Sequence, residues 1–463
     1  MTNQYYVLKG FFYMLALLIL PTVSLHAETA SSSLDKINHI IVIYQENWSF
    51  DGLYGSFPGA NGIANAGEKT IQVDKDGKPF AFLPRPLDTS TKPAIPDQRF
   101  PEKMQAKPYN LTGYVPSDQN SGDLMHRFYQ NQLQINGGRM DKFAAWSDNP
   151  GLVMSYYDAS DMPEGRLAKQ FTLADNFFQA AFGGSFLNHF WMVCACTPSW
   201  ADAPLSMVVQ LDNSGVIAKD GSVTLDGFVV NTAYSLNQPH PDTVENTCKL
   251  VPPQTMPTIG DRLSEKNISW VWYSGGWDDA LAGKPAKDFQ FHHQPFAYFA
   301  TYSDGTLAKA AHLKDEEDFL NDIKAGLLPS VAFIKPIGSY NEHPGYATLL
   351  AGQQHTADLV KAIQDSTYWR DTVIIITYDE YGGRWDHVAP PKGDRWGPGA
   401  RVPAIIISPY AKRGYVDHTQ YDTTSILKFI EQRWNLKPLG ARDAAANDLS
   451  NALDFMSNLD PPK

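Results

Sequence analysis

The chain has 463 residues, 43% of them hydrophobic and 19% charged, which is enough apolar material for a large core and too much for a disordered chain. A formal net charge of −12 excludes a nucleic-acid partner, because binding a phosphate backbone needs a basic face. Any anionic substrate must be drawn in by local charge.

At the N-terminus, Lys9 precedes an apolar run over residues 11–20, then Pro21 and the small-residue ending Leu25-His26-Ala27. This is the pattern of a secretory signal peptide over residues 1–27, cut near Ala27, and it directs the mature chain, 28–463, to the periplasm or outside the cell. The run is too short for an ordinary membrane span, an uncleaved anchor being the alternative, and no stable span is expected in the mature chain. Export would place Cys194, Cys196 and Cys248 in an oxidising compartment, where three cysteines give one disulfide and one leftover thiol. A pair that includes Cys248 is expected; Cys194 and Cys196 are too sparse for a zinc site by themselves.

The first strand expected in the mature chain is Ile40-Ile41-Val42-Ile43-Tyr44, followed at once by Gln45-Glu46-Asn47. Far downstream, residues 372–378 form a second β-branched run that ends in Asp379-Glu380. Continuous runs of this kind read as strands buried on both faces, and in open α/β sheets ligands sit beyond the carboxyl ends of such strands. Three carboxylates and an amide gathered there with no Lys or Arg between them would repel one another unless a cation sat among them, which points to a divalent metal site. The other reading of either run alone is that its acids cap the next helix.

Between the two runs, residues 60–120 are rich in Pro, Gly, Asp and Lys and read as a long surface excursion. His126 follows in a loop-like context. Ser185 lies in Gly183-Gly184-Ser185-Phe186-Leu187, where two glycines let the backbone approach a ligand and the apolar stretch beyond forms a helix whose N-terminus favours an anion. It is a nucleophile candidate that needs a base or a metal to activate it, and alternatively a helix N-cap. No G-x-S-x-G elbow surrounds it, which counts against a carboxyl esterase. Residues 207–234 alternate apolar and polar between turn signals and predict a small antiparallel lobe, either covering a site or a decoration of the surface.

Further strands are expected at 268–273, 330–334 and 402–408, and helices at 352–366 and 423–434. Strands that alternate with helices predict an α/β fold around a mostly parallel central sheet. The doublet His292-His293 and His343 lie in loop contexts, and with His126 they form a set able to bind phosphoryl oxygens and to pass a proton to a leaving alkoxide. His240, His312 and His355 read as structural. Asp386-His387 reads either as a pair orienting the site from behind or as a solvated turn.

Four blocks in this order resemble the phosphoesterase family that contains bacterial phospholipases C and secreted acid phosphatases. They are Gln45-Glu46-Asn47-Trp48-Ser49-Phe50-Asp51, Asn136-Gly137-Gly138-Arg139-Met140-Asp141, the stretch from Tyr378-Asp379-Glu380-Tyr381-Gly382-Gly383 through Asp386-His387-Val388, and Arg401-Val402-Pro403-Ala404 with Ser408-Pro409-Tyr410. The resemblance implies an alkaline-phosphatase-like α/β fold and hydrolysis of phosphate esters, phospholipids among them. It implies Glu46, Asn47, Asp379 and Glu380 as ligands of a divalent ion whose identity stays open. Ser185 would be nucleophile and metal contact, acting through a phosphoserine. His126, His292, His293 and His343 would surround the phosphoryl group, with Asn47 helping to bind it. The phospholipase C branch commonly carries threonine at the nucleophile position and the acid phosphatase branch serine, so Ser185 and the His292-His293 block favour an acid phosphatase. The alternatives are a phospholipase C and, in a different class, a secreted metal-binding protein without the chemistry.

Overall fold

The computed structural model describes residues 33–213, 216–244 and 249–456, so the expected signal peptide and Cys248 lie outside the described residues. The chain divides at Lys36; Ser33–Lys36 is a single turn, and the main body begins at Ile37.

Eight strands form its central sheet: β1 (His39–Gln45), β2 (Thr172–Ala174), β3 (Trp270–Ser274), β4 (Leu313–Asp315), β5 (Val331–Lys335), β6 (Thr372–Tyr378), β7 (Ala404–Ile407) and β8 (Tyr415–Asp417). Their order across the sheet is β4-β3-β5-β1-β6-β7-β2-β8. Only β7 opposes the others, pairing antiparallel with both β6 and β2. The β-branched runs read from the sequence are the sheet's centre, and every residue of β5 and β6 is buried. Val, Ile and Phe suit a pleated surface covered on both sides, which explains why these strands show no polar alternation.

Five helices frame this sheet and its functional edge: α1 (Phe50–Tyr54), α2 (Pro163–Gln170), α3 (Ser185–Cys194), α4 (Leu349–Gln364) and α5 (Thr423–Trp434). Helix α2 packs on α4, and α3 on α5. Thr348 and Asp422 cap α4 and α5 by accepting backbone N–H bonds, so both helices begin where a short polar side chain precedes the apolar periodicity.

Within the stretch 60–120, short antiparallel pairs join Phe82–Pro84 to Lys103–Gln105 and Leu87–Asp88 to Ile95–Pro96. Within 207–234, Gln210–Leu211 pairs antiparallel with Ile217–Lys219. The disulfide joins Cys194 to Cys196, not either of them to Cys248. The left-handed turn at Ala195, which ends α3, folds the chain back so that two cysteines two positions apart can meet.

Parallel pairing fixes the functional edge. Gln45 lies opposite Tyr378, so the next residues of the two strands, Glu46 and Asp379, emerge side by side. Ile43 pairs with Ile334, which sets Lys335 next to Tyr44. Ile374 is fully buried between Ile41 and Ile407 at the centre of this arrangement. Ile374→Ala is expected to cost roughly 2–5 kcal/mol, read as a shift in the urea unfolding midpoint; a change well below 1 kcal/mol would contradict close packing there.

Candidate active site

Glu46 and Asn47 leave β1, and Asp379 and Glu380 leave β6. Asn47 sits at φ 67°, a left-handed conformation that Asn tolerates, and there its N–H donates to Asp379 Oδ1 at 3.1 Å. Glycine at 382 is required on the facing loop, because a Cβ there would lie 2.1 Å from the Asn47 carbonyl oxygen.

Ser185 is the first residue of α3. The position before it is Gly184, and no side chain caps the helix, so the hydroxyl is free of the capping role allowed by the sequence. It points instead at Glu46 Oε2, 3.2 Å away, and Asn47 Oδ1, 3.3 Å away. The two glycines before it let the His126 segment press close, since a Cβ at Gly183 would meet the Phe128 nitrogen at 2.4 Å and one at Gly184 the His126 carbonyl oxygen at 2.8 Å. The serine therefore comes into hydrogen-bonding reach of the β1 ligand pair, and His126 is placed over it.

These groups floor a cavity of about 210 Å³ lined by Glu46, Ser185, His126, His292, His293 and His343, with Arg127, Phe186, Gln290, Tyr346, Asn231 and Thr232 at its sides. Asn231 and Thr232 come from the end of the 207–234 excursion, which thus forms part of the wall. His126 Nδ1 lies 2.5 Å from the Leu124 carbonyl oxygen, and His343 Nδ1 2.5 Å from that of Pro344. A carbonyl only accepts, so each Nδ1 carries a proton and each Nε2 faces away from that bond. His293 differs, because its Nε2 lies 2.9 Å from Glu46 Oε1.

Two groups missed by sequence reasoning complete the centre. Lys335, at the end of β5, is fully buried with its ammonium on Glu46 Oε1, so the acids are not without a neutralising cation as their sequence context suggested. His189, four residues after Ser185 on the same helix face, bonds through Nδ1 to the Ser185 carbonyl oxygen at 2.7 Å and stacks on His293 with ring centroids 5.1 Å apart. The i,i+4 spacing from the serine was the signal for His189. Nothing local marked Lys335, which reads as the polar end of an apolar strand.

Burial opposes the charge on Glu46, yet His293 and Lys335 hold its carboxyl well below the usual range. Asp379 and Glu380 go the other way: burial, with Glu46 acting on Asp379 and Asp379 on Glu380, pushes both well above it. Asp379 Oδ2 and Glu380 Oε1 are buried and receive no hydrogen bond among the described residues. Two such oxygens beside the Asn47 carbonyl group and the Ser185 hydroxyl form a hard-oxygen donor set that fits a divalent cation. Glu46, His189 and His293 also bring donor atoms within 4.8 Å of one another, but the Lys335 ammonium already occupies that side of Glu46.

Asp386 and His387 are buried away from the cavity lining, so the solvated-turn reading is overturned. His355 is paired with Glu316, and His312 stacks on Trp270, as expected of structural residues.

Residues 37–437 match the Phosphoesterase family. The chain belongs to this family. It is 25% identical over 475 residues to the non-hemolytic phospholipase C of Pseudomonas aeruginosa, covering 94% of this chain and 60% of that protein. It is 24% identical to phospholipase C B of Mycobacterium tuberculosis, covering 93% and 80%. The chain thus spans about 60% of the length of the first of these relatives. A protein of the alkaline phosphatase superfamily from Vibrio parahaemolyticus aligns at 10% identity and a TM-score of 0.34, covering 71% of this chain and 73% of its own; a likeness that loose bears on none of the chemistry.

Beneath the site, two buried carboxyls meet on one hydroxyl: the Tyr378 oxygen lies 2.7 Å from Glu342 Oε2 and 3.0 Å from Glu164 Oε2. One hydroxyl proton can serve only one of them, so a carboxyl here must hold a proton too. Burial pushes Glu164 up to about 7, and burial together with the Glu164 charge pushes Glu342 well above the carboxylate range. A folded-state value raised above the unfolded one gives stability that is present below the ordinary value of 4.5 and lost as pH rises through about 7. Glu164→Gln keeps the shape without that titration. Its melting temperature should fall less than that of the wild type between about pH 4.5 and 7; parallel curves there would contradict the shared proton.

Proposed function

We propose that this chain is an exported, metal-dependent phosphoric ester hydrolase of the acid phosphatase kind, with Ser185 as nucleophile. The observation that carries the reading is the Ser185 hydroxyl lying within 3.3 Å of both Glu46 and Asn47 at the floor of a histidine-lined cavity. The Cys194–Cys196 disulfide supports export, and among the described residues no helix is long and apolar enough to cross a membrane.

Glu46, Asn47, Asp379 and Glu380 would hold a divalent ion, whose Lewis acidity would lower the serine hydroxyl's pKa and draw charge from a phosphoryl oxygen. Glu46 Oε2 is the nearest acceptor for the Ser185 proton, and it keeps the serine lone pairs available to the cavity. The amide NH₂ of Asn47 and the imidazoles of His126, His292 and His343 orient the phosphoryl oxygens. Ser185 Oγ attacks phosphorus in line, the P–O bond to the alcohol breaks, and an imidazolium donates its proton to the departing oxygen. Water then attacks the phosphoserine from the vacated side, and serine and phosphate are released. His293 acts through Glu46, which it holds with Lys335, so of the doublet His292 is the ring available to substrate.

A cavity of about 210 Å³ is small beside pockets that enclose a whole ligand, which typically exceed ~300 Å³, and this favours a phosphoryl group held inside with its alcohol outside, as in a monoester. The second reading, a phospholipase C cleaving headgroup diesters of phospholipids, is favoured by the names of the relatives. Faster turnover of p-nitrophenylphosphorylcholine than of p-nitrophenyl phosphate would decide for the second reading.

Ser185→Ala should lower kcat on the preferred substrate by on the order of 10⁴-fold with an unchanged melting temperature; retained turnover would exclude the covalent step. The pH profile should report the histidines. Because Nδ1 of His126 and of His343 is bound to a carbonyl, Nε2 can donate only from the imidazolium, and burial holds His126 below its ordinary value of 6.5. Activity should therefore peak in acid and fall as pH rises toward neutrality. A profile that climbs into the alkaline range would contradict the role of these rings.

A further inference from the structure

A second buried charged cluster lies behind the ligand loops and lines no part of the cavity. The Arg401 guanidinium, fully buried, donates from Nε to Asp386 Oδ1 at 2.9 Å and from Nη2 to Asp51 Oδ1 at 3.1 Å. Its Nη1 donates to the carbonyl oxygens of Asp175 at 2.7 Å and Asn61 at 2.9 Å. Asp51 Oδ2 accepts from the His387 backbone N–H at 2.8 Å and lies 2.6 Å from His387 Nδ1. Asp386 Oδ2 accepts the Asp51 N–H at 3.0 Å, and Asp386 Oδ1 also accepts the Val388 N–H at 2.8 Å.

Asp51, Asp386 and His387 bring donor atoms within 4.8 Å of one another, as in a metal site. All four carboxylate oxygens nevertheless receive donors from the chain, and the guanidinium supplies the positive charge. The cation here is Arg401 itself. This contrasts with Asp379 Oδ2 and Glu380 Oε1, which receive no hydrogen bond among the described residues.

The cluster's place in the chain gives it a second consequence. Asp51 lies in the first turn of α1, shortly after Glu46 and Asn47, and Asp386 closes the loop that starts with Asp379 and Glu380. Ser49 Oγ adds a bond to the Trp385 carbonyl oxygen at 2.9 Å, and the Phe50 N–H donates to the Arg401 carbonyl oxygen at 3.1 Å. One planar fork thus spans both ligand-bearing loops from behind, with its face over the Phe50 ring at 4.5 Å. A lysine has the charge but not the two-pronged geometry.

We propose that Arg401 is a positioning residue for the cation site: by bridging Asp51 and Asp386 it sets the spacing between the Glu46-Asn47 pair and the Asp379-Glu380 pair. The proposal rests on the reading of that site as a metal centre. Losing the bridge leaves each pair intact and lets the spacing between them vary, so it should weaken cation binding without removing any donor.

The test is calorimetric titration of chelator-stripped, full-length protein with calcium, magnesium, manganese and zinc ions in turn, continued with whichever ion binds the wild type. Arg401→Lys should bind that ion about tenfold or more weakly, while Leu427→Ala, a cavity variant in α5 with a comparable loss of melting temperature, should stay within about threefold of the wild type. Asp386→Asn, which keeps the side chain's shape and weakens the charge bridge, should lose affinity in the same direction and serves if Arg401→Lys does not fold. Unchanged affinity in a folded Arg401→Lys or Asp386→Asn variant, or an equal loss in Leu427→Ala, would overturn the proposal. Binding of none of the four ions by the wild type would instead overturn the metal reading on which it rests.

Discussion

Glu46, Asp379 and Glu380 are all fully buried at the carboxyl edge of the sheet, and their repulsion is the constraint around which the rest of the site is arranged. Like charges about 4 Å apart cost on the order of 4 kcal/mol at the effective dielectric of partly buried protein sites. The chain relieves only part of this. Lys335 and His293 are both committed to Glu46 Oε1, which leaves the other Glu46 oxygen facing Ser185 and leaves Asp379 Oδ2 and Glu380 Oε1 without a hydrogen bond among the described residues. A site whose own cations satisfy one carboxylate of three is suited to a divalent ion, and the serine stands where that ion's field would act on its hydroxyl.

Parallel strand register is what makes the gathering possible. The pairing of Gln45 with Tyr378 delivers Glu46 and Asp379 to adjacent places, and a slip of one residue would turn one of them to the opposite face of the sheet. Behind this edge the protein handles buried charge in two further ways. Arg401 pairs with Asp51 and Asp386 in full, and Glu164 and Glu342 avoid charge by holding a proton beside Tyr378. The three clusters border one another along the chain, since Tyr378 precedes Asp379, Glu342 precedes His343, and Asp386 follows Glu380 in the same loop.

How much of this was legible in the sequence depends on the range of the interactions. β1 and β6 could be read because a continuous β-branched run admits few other structures, and α5 because of the helical apolar periodicity over 423–434. Ser185 and the His126, His292 and His343 positions came from local context and family resemblance, and the folded chain does bring them to one cavity. Lys335 was invisible because its meaning depends on which strand lies beside β1, a non-local fact. Asn231 and Thr232 reach the cavity wall from a distant excursion for the same reason. The Cys194–Cys196 pair was passed over because spacing alone does not show that the chain reverses at Ala195.

The central claim is that Ser185, the carboxylates and the histidines act on one phosphorus atom, and a crystal structure with orthovanadate and a divalent ion tests it most directly. Vanadium is expected to be bonded to Ser185 Oγ, with the ion held by Glu46, Asn47, Asp379 and Glu380 and imidazole nitrogens of His126, His292 and His343 on the vanadate oxygens. Vanadate bound elsewhere, or in this cavity with Ser185 turned away from it, would contradict the claim.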